Sequence, residues 1–303
     1  MLSIFGKEPK ERTIEERINY GFVVIDKPRG PTSHQVSAWV KEILNIKKAG
    51  HVGTLDPNVT GVLPVGLEKA TRLADFLHEQ GKEYVGLMLL HKPVPPEMIE
   101  QTMKEFTGEI FQFPPLRSAV ARNLRKRKVY SLKILEIKER YVLFSADVES
   151  GVYIRTLCRD IGDALLVGAN MVELKRIRSG PVTMSRAITL QTLKDAYTFY
   201  KEGDEKLLSS IIIDPEEVTK DYPRVIIKES AIDAMAHGSY IYRNGILEDM
   251  GDKGTLRIMS PKGELLGMGE RVNDIIKPSV VLVDRDVYPR AWKTTPSRKK
   301  VYS

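Results

Sequence analysis

The sequence is short of sulfur nucleophiles. Its one cysteine, Cys158, excludes an internal disulfide framework and any cysteine-rich zinc site, and it predicts a reducing compartment with that thiol buried as a small hydrophobe. No apolar run approaches the ~20 residues that span a bilayer. The N-terminal "MLSIFGKEPKERTIEERINYG" becomes charged too early for a secretory leader, so a soluble, cytoplasmic protein with no membrane partner is expected. The five histidines, His34, His51, His78, His91 and His237, form no ligand spacing, so no metal is expected. Neither G-x-x-x-x-G-K-[ST] nor G-x-G-x-x-G occurs, and the Gly-rich stretches are not read as nucleotide-phosphate cradles. The "TSH" at Thr32–His34 lacks a G-x-S-x-G elbow, and Thr32 and Ser33 read as helix-capping residues.

What is present is a chain of 303 residues, 42% hydrophobic, enough for one large domain and a smaller one. Lysine and arginine number 47 against 40 acids, a net charge of +7, which fits a polyanionic partner such as nucleic acid. "GFVVIDK" reads as a buried strand, and Val36, Trp39, Val40, Ile43 and Leu44 recur at helical spacing, which predicts a core-facing helix. "KEYVGLMLL" is a strand, "PPEMIEQTMKEFTGEI" a helix closed by Gly108, and "KVYSLKILEIKERYVLFSADVES" two antiparallel strands around a charged turn. "GVYIRTLCRDIGDALLVG" is expected to pass from strand to helix. Strands and helices mix without a βαβ repeat, so the fold class is α+β with a mixed, largely antiparallel sheet. A boundary falls near "DPEEVTKDYPRV"; beyond it, short β-like runs alternate with Gly turns after one short helix, which predicts a small β-barrel-like module. The expected organisation is an arm over 1–18, a main domain over 19–220, a module over 221–292 and a basic tail over 293–303.

The lone carboxylate Asp56, in "HVGTLDPNVTGVLPVG", raises the chemical question. Asp-Pro followed by Asn is ordinary turn chemistry, and an isolated pair would be read so. Its flanks change that reading. The whole stretch resembles the active-site motif of the TruB-type pseudouridine synthases. "DKPRGPTSH" is similar to the family's first motif, "GKEY" to its tyrosine motif, "GVYIRTL" to its arginine motif and "ELKRIRSGPV" to the segment that closes the pocket. From "YPRV" to "YPRAW" the small module resembles a PUA RNA-binding domain. "RTIEERINYGFVVIDKPRGPTSHQVSAWVKEIL" and "FPPLRSAVARNLRKRKVY" carry a likeness to the archaeal and eukaryotic, dyskerin-like branch, the catalytic subunits of H/ACA guide-RNA particles.

The resemblance implies a pseudouridine synthase fold and an isomerase that turns uridine into pseudouridine without cofactor or metal. Asp56 would act at the sugar or the base, Arg155 would pair with it, and Tyr84 would stack on the flipped uracil. A strand-edge arginine and a half-buried tyrosine are the plainer alternatives. His51, Leu174 and Lys27 complete the substrate set: His51 beside the flipped nucleotide, Leu174 as an apolar floor, Lys27 in support of the loop. A loop histidine satisfied by neighbouring carbonyls and a core leucine stand beside the first two roles. Arg117, Arg122, Arg125, Lys126, Arg127 and Lys128 lie in a stretch without an acid, suited to tracking an RNA backbone. The implied partners are H/ACA guide RNA, substrate ribosomal RNA with transfer RNA as a further substrate, and small accessory proteins of the particle. A stand-alone transfer RNA T-arm enzyme and a non-catalytic RNA scaffold are the alternatives.

Overall fold

Four consecutive apolar side chains, Phe22, Val23, Val24 and Ile25, are fully buried, so the strand they form is covered on both faces. It lies in a computed structural model that describes residues 6–113, 123–251 and 254–283. The chain divides into two units: residues 21–213, and the residues before 21 together with those from 214 onward.

The 21–213 unit is organised on one nine-stranded sheet: β1 (Phe22–Lys27), β2 (Ala49–His51), β3 (Thr60–Leu67), β4 (Lys82–Leu90), β5 (Gly108–Gln112), β6 (Arg125–Lys138), β7 (Tyr141–Val148), β8 (Ala169–Ser179) and β9 (Val182–Thr183). The order is β1-β3-β8-β4-β7-β6-β5, with β2 on β3 and β9 on β8. β3 and β8 run parallel, while β1–β3, β4–β8, β4–β7, β6–β7 and β5–β6 are antiparallel, which is the expected α+β arrangement. β4 alternates: Lys82, Tyr84, Met88 and Leu90 are buried along one face.

Three local expectations change. The helix Ser33–Ile43 buries Ser33, Val36, Ser37 and Val40, with Leu44 buried just beyond, but Trp39 is 40% exposed. The i, i+3, i+4 stripe that meets the sheet is centred on Val36 and Val40, and Trp39 stands on its flank. The helix Pro96–Glu105 ends before Gly108, which opens β5 instead of closing the helix. Residues 151–153 form no strand: Gly151 ends a turn, Tyr153 is the extended N-cap, and the helix Ile154–Ala164 begins directly after it. Cys158 lies inside that helix, fully buried, and burial pushes its thiol up to about 12.

The other unit holds β10 (Arg224–Ile227), β11 (Ile241–Tyr242), β12 (Ile246–Asp249), β13 (Gly254–Met259), β14 (Leu265–Val272) and β15 (Ile275–Val281), in the order β11-β15-β14-β13-β10-β12. Its edge strands β11 and β12 are joined by only three residues, Arg243–Gly245, so the two edges return toward each other and the sheet is barrel-like. Residues 6–18, read from sequence as part of the arm, count with this unit, as do 19 and 20, which were read into the main domain: the helix Ile14–Tyr20 buries Ile14, Ile18 and Tyr20, and the buried Arg12 donates to both carboxylate oxygens of Glu216 at 2.8 Å. The closing "YPRAW" and the basic tail lie outside the described residues.

Candidate active site

The Asp56 loop joins β2 to β3, and each part of it is tied down. The Val59 N–H donates to the Asp56 carbonyl at 3.0 Å, closing a turn with Pro57 at its second position. The turn reading of Asp-Pro-Asn is therefore correct for the backbone. Beneath it, the Lys27 ammonium donates to the carbonyls of Pro28 (3.0 Å), Pro57 (3.1 Å) and Val59 (2.9 Å). Lys27 is fully buried, so it supports the loop and does not line a substrate surface. Burial draws its pKa down, and the nearby Asp56 carboxylate partly opposes that.

The "TSH" stretch holds the loop from the other side. Thr32 is the helix N-cap, exchanging bonds with Gln35 in a capping box. Ser33, one residue on, accepts the Leu55 N–H at 2.8 Å and donates to the Leu55 carbonyl at 3.0 Å. His51 is half-buried, its Nδ1 3.3 Å from the Ser37 hydroxyl and its Nε2 3.3 Å from that of Thr54. Its partners are hydroxyls, not the carbonyls of the plainer alternative. Burial, with the charges of His34 and Arg176, lowers its pKa and favours the neutral ring.

Arg155 stands in the first turn of the helix Ile154–Ala164 and forms an ion pair with Asp56, 99 positions away in sequence. The protein alone leaves both side chains open: Arg155 is 53% and Asp56 54% exposed. A cation at a helix N-terminus opposes the helix dipole, and the carboxylate opposite it compensates.

Tyr84 on β4 is buried and pairs across the sheet with Arg176 on β8; Gly86 pairs with Leu174. Alternate positions share a face, so Tyr84 and Leu174 belong to one surface. Gly86 carries no side chain because the Phe144 ring fills the space: a Cβ there would stand 2.5 Å from it.

Arg176 is the residue that sequence reading passed over. It is buried, and its guanidinium donates to the carbonyls of Val62 (2.8 Å) and Gly53 (2.8 Å), so it grips the loop on both sides of Asp56. It also interacts with the Tyr84 side chain. Burial lowers its pKa and Tyr84 acts against that. The clue was available in "ELKRIRSG": an arginine two residues after Leu174 in a strand shares its face.

The basic stretch divides. Arg117 and Arg122 lie outside the described residues. Lys126 and Lys128 project outward from β6, Lys126 paired with Glu109 at 2.7 Å and Lys128 over the Tyr130 ring. Arg125 and Arg127 are partly buried, and Arg127 lies across Gly151, whose Cβ would stand 2.9 Å from Arg127 Nε. Among the described residues no group of three or more His, Cys, Asp or Glu is arranged to hold a metal, and no helix is long and apolar enough to cross a membrane.

Comparison with known proteins places these residues in context. Residues 41–95 match the TruB family pseudouridylate synthase (N terminal domain), residues 155–219 the tRNA pseudouridylate synthase B C-terminal domain, and residues 3–37 the DKCLD (NUC011) domain. The probable tRNA pseudouridine synthase B of Methanothermobacter thermautotrophicus is 46% identical over 95% of this chain and 94% of its own length. That of Pyrococcus horikoshii is 49% identical over 95% of this chain and 91% of its own. A chain in the crystal structure of a Cbf5-Nop10-Gar1 complex superposes with a TM-score of 0.90 at 46% identity, covering 95% of this chain and 93% of that one. A chain in an H/ACA RNP bound to a substrate RNA containing 2'-deoxyuridine gives 0.88 at 44% identity, covering 96% and 94%.

Proposed function

Because the chain belongs to the TruB family of pseudouridylate synthases, we propose that it isomerises uridine to pseudouridine in RNA, mainly ribosomal RNA, under the direction of an H/ACA guide RNA. The observation that carries the chemistry is the Asp56–Arg155 ion pair at the mouth of a braced loop. The reaction breaks the C1′–N1 bond, turns the uracil and joins C1′ to C5; the C5 proton leaves and N1 gains one, with no net redox change. Asp56 meets the positive charge that develops at C1′, as carboxylates do in glycoside chemistry. Arg155, ion-paired with that carboxylate, keeps it aimed. Tyr84 offers its ring to the extruded uracil, Leu174 an apolar floor, and neutral His51 a contact beside the flipped nucleotide, whose extrusion costs a few kcal/mol.

RNA is held outside the pocket. Lys126 and Lys128 give backbone contacts, and the barrel-like unit, which resembles a PUA domain over 221–292, anchors guide RNA. The likeness to chains in complexes with Nop10, Gar1 and H/ACA RNA supports accessory proteins of that kind as partners. A pocket that reads one extruded uracil cannot choose among many, so selection comes from base pairing by the guide.

The test is to map pseudouridine in a ribosomal RNA fragment with guide RNA and accessory proteins added, and then to move the guide's pairing segments. The modified position should move with them. The names of the curated relatives favour a second reading, a transfer RNA enzyme. Efficient, guide-independent modification of one T-arm uridine, with no guide-RNA binding, would select it.

A further inference from the structure

Behind the site lies a buried lysine that the reaction as described does not use. Lys82 opens β4 two residues before Tyr84 and is 5% exposed. Its ammonium donates to the carbonyls of His78 (2.7 Å) and Gln80 (2.7 Å) and to the Ser150 hydroxyl (3.1 Å). Ser150 in turn donates to the His78 carbonyl at 2.5 Å. All three ammonium hydrogens are thereby used, and none goes to a carboxylate.

The places it joins are informative. Ser150 lies in the turn that leads into the helix carrying Arg155. Its carbonyl acceptors close the helix Ala74–Glu79 just ahead of β4. Its stem lies against the Asp56 loop: a Cβ on Gly53 would stand 3.3 Å from Lys82 Cε and 3.1 Å from Arg176 Nη1. One side chain therefore touches the segments that supply Asp56, Tyr84 and Arg155. Burying a cation without an anion is costly, and a methionine could fill the same space.

We propose that Lys82 is a positioning residue for pseudouridine formation, holding the Ser150 turn against β4 so that Arg155 meets Asp56 in the reactive arrangement. The proposal rests on the pseudouridine-forming reading above. The charges facing Lys82 fit a titratable strut. Burial, with Arg176 and Arg178 of β8, draws its pKa down to about 7. Arg178 is itself paired with Glu83 and Asp147. His78, on the helix beside it, is held low by burial and by Lys82. Loss of one proton leaves two donors for three acceptors.

The experiment measures single-turnover pseudouridine formation and RNA affinity in the particle assembled from the full chain, guide RNA and accessory proteins, with wild type, Lys82→Met, Ser150→Ala and both together. Lys82→Met should slow the chemical step by about 10- to 100-fold, the scale of an ångström misplacement, with RNA affinity within about 2-fold. Ser150→Ala should lose less, and the pair together should be no slower than Lys82→Met alone, since both break one linkage. The wild-type rate should carry an inflection near neutral pH that Lys82→Met lacks. A wild-type rate in Lys82→Met, or additive losses with an unchanged pH profile, overturns the proposal. Should Lys82→Met fail to fold, Ser150→Ala decides, and a wild-type rate there has the same consequence. Asp56→Asn serves as the control: pseudouridine from that variant, or none from wild type, would sink the reaction itself and not the strut.

Discussion

Ser33 holds Leu55 by both polar groups of its backbone, accepting the N–H at 2.8 Å and donating to the carbonyl at 3.0 Å, one residue before Asp56. Both residues are buried, so neither group of Leu55 has water as a ready substitute. Ser33→Ala should cost about 1–3 kcal/mol, the penalty of a buried unpaired group. It should also slow pseudouridine formation by roughly 10-fold or more through a displaced Asp56. Thermal unfolding and single-turnover assays on the same preparation measure the two effects.

Asp56→Asn should separate chemistry from stability. The ion pair with Arg155 is half exposed on both sides, where such pairs contribute about 0–1 kcal/mol. Product should vanish while the melting temperature and RNA affinity stay close to wild type. A large drop in melting temperature would show that the pair is structural.

Two glycines with positive φ should respond differently to alanine. At Gly61 the Cβ would stand 2.1 Å from the Arg176 carbonyl, backbone against backbone, with φ at +103°. At Gly30, φ is +114° but no atom lies within 4 Å of the added carbon. Gly30→Ala should cost only the conformational strain, about 1–3 kcal/mol. Gly61→Ala adds an overpacking penalty of similar size and should force β3 from β8. Denaturant titration gives the comparison.

Stability should rise with pH above neutrality through Lys82. Its folded pKa of about 7 lies below the ordinary lysine value of 10.5, so the unfolded chain binds more protons between those limits. The penalty of burying the charge is fully present below pH 7 and is relieved as pH climbs toward 10.5. It is on the order of a few kcal/mol. Lys82→Met should flatten this part of the stability profile, measured by unfolding at a series of pH values.

The basic stretch should divide by function as it divides in space. Lys126→Ala with Lys128→Ala should lower the salt dependence of RNA affinity, each lost phosphate contact reducing the slope by about 1. Arg127→Ala should leave the slope nearly unchanged and slow catalysis, because its guanidinium lies over Gly151 in the turn ahead of Arg155. Affinity measured across a salt series, beside single-turnover rates, distinguishes the two.

The sequence by itself determined what is local. The apolar runs of β1 and β4 and the Gly-punctuated strands after residue 223 each depend on neighbours a few positions apart, and they can be read directly. Asp56, Tyr84 and Arg155 were singled out for a related reason: each sits in a short contiguous motif that resembles one of the family's. Tertiary structure decided the rest. Whether Trp39 is covered depends on which stripe of its helix meets the sheet, and its own periodicity fits either side. Arg176 reads as one cation in a basic run until β8 is placed between β3 and β4, which brings Gly53, Val62 and Tyr84 around its guanidinium. Lys82 and Ser150, 68 positions apart, meet because β4 pairs with β7 and leaves the turn after β7 beside the start of β4. Burial of a charge is a property of strand order, and strand order is set by the whole core and not by any segment of it.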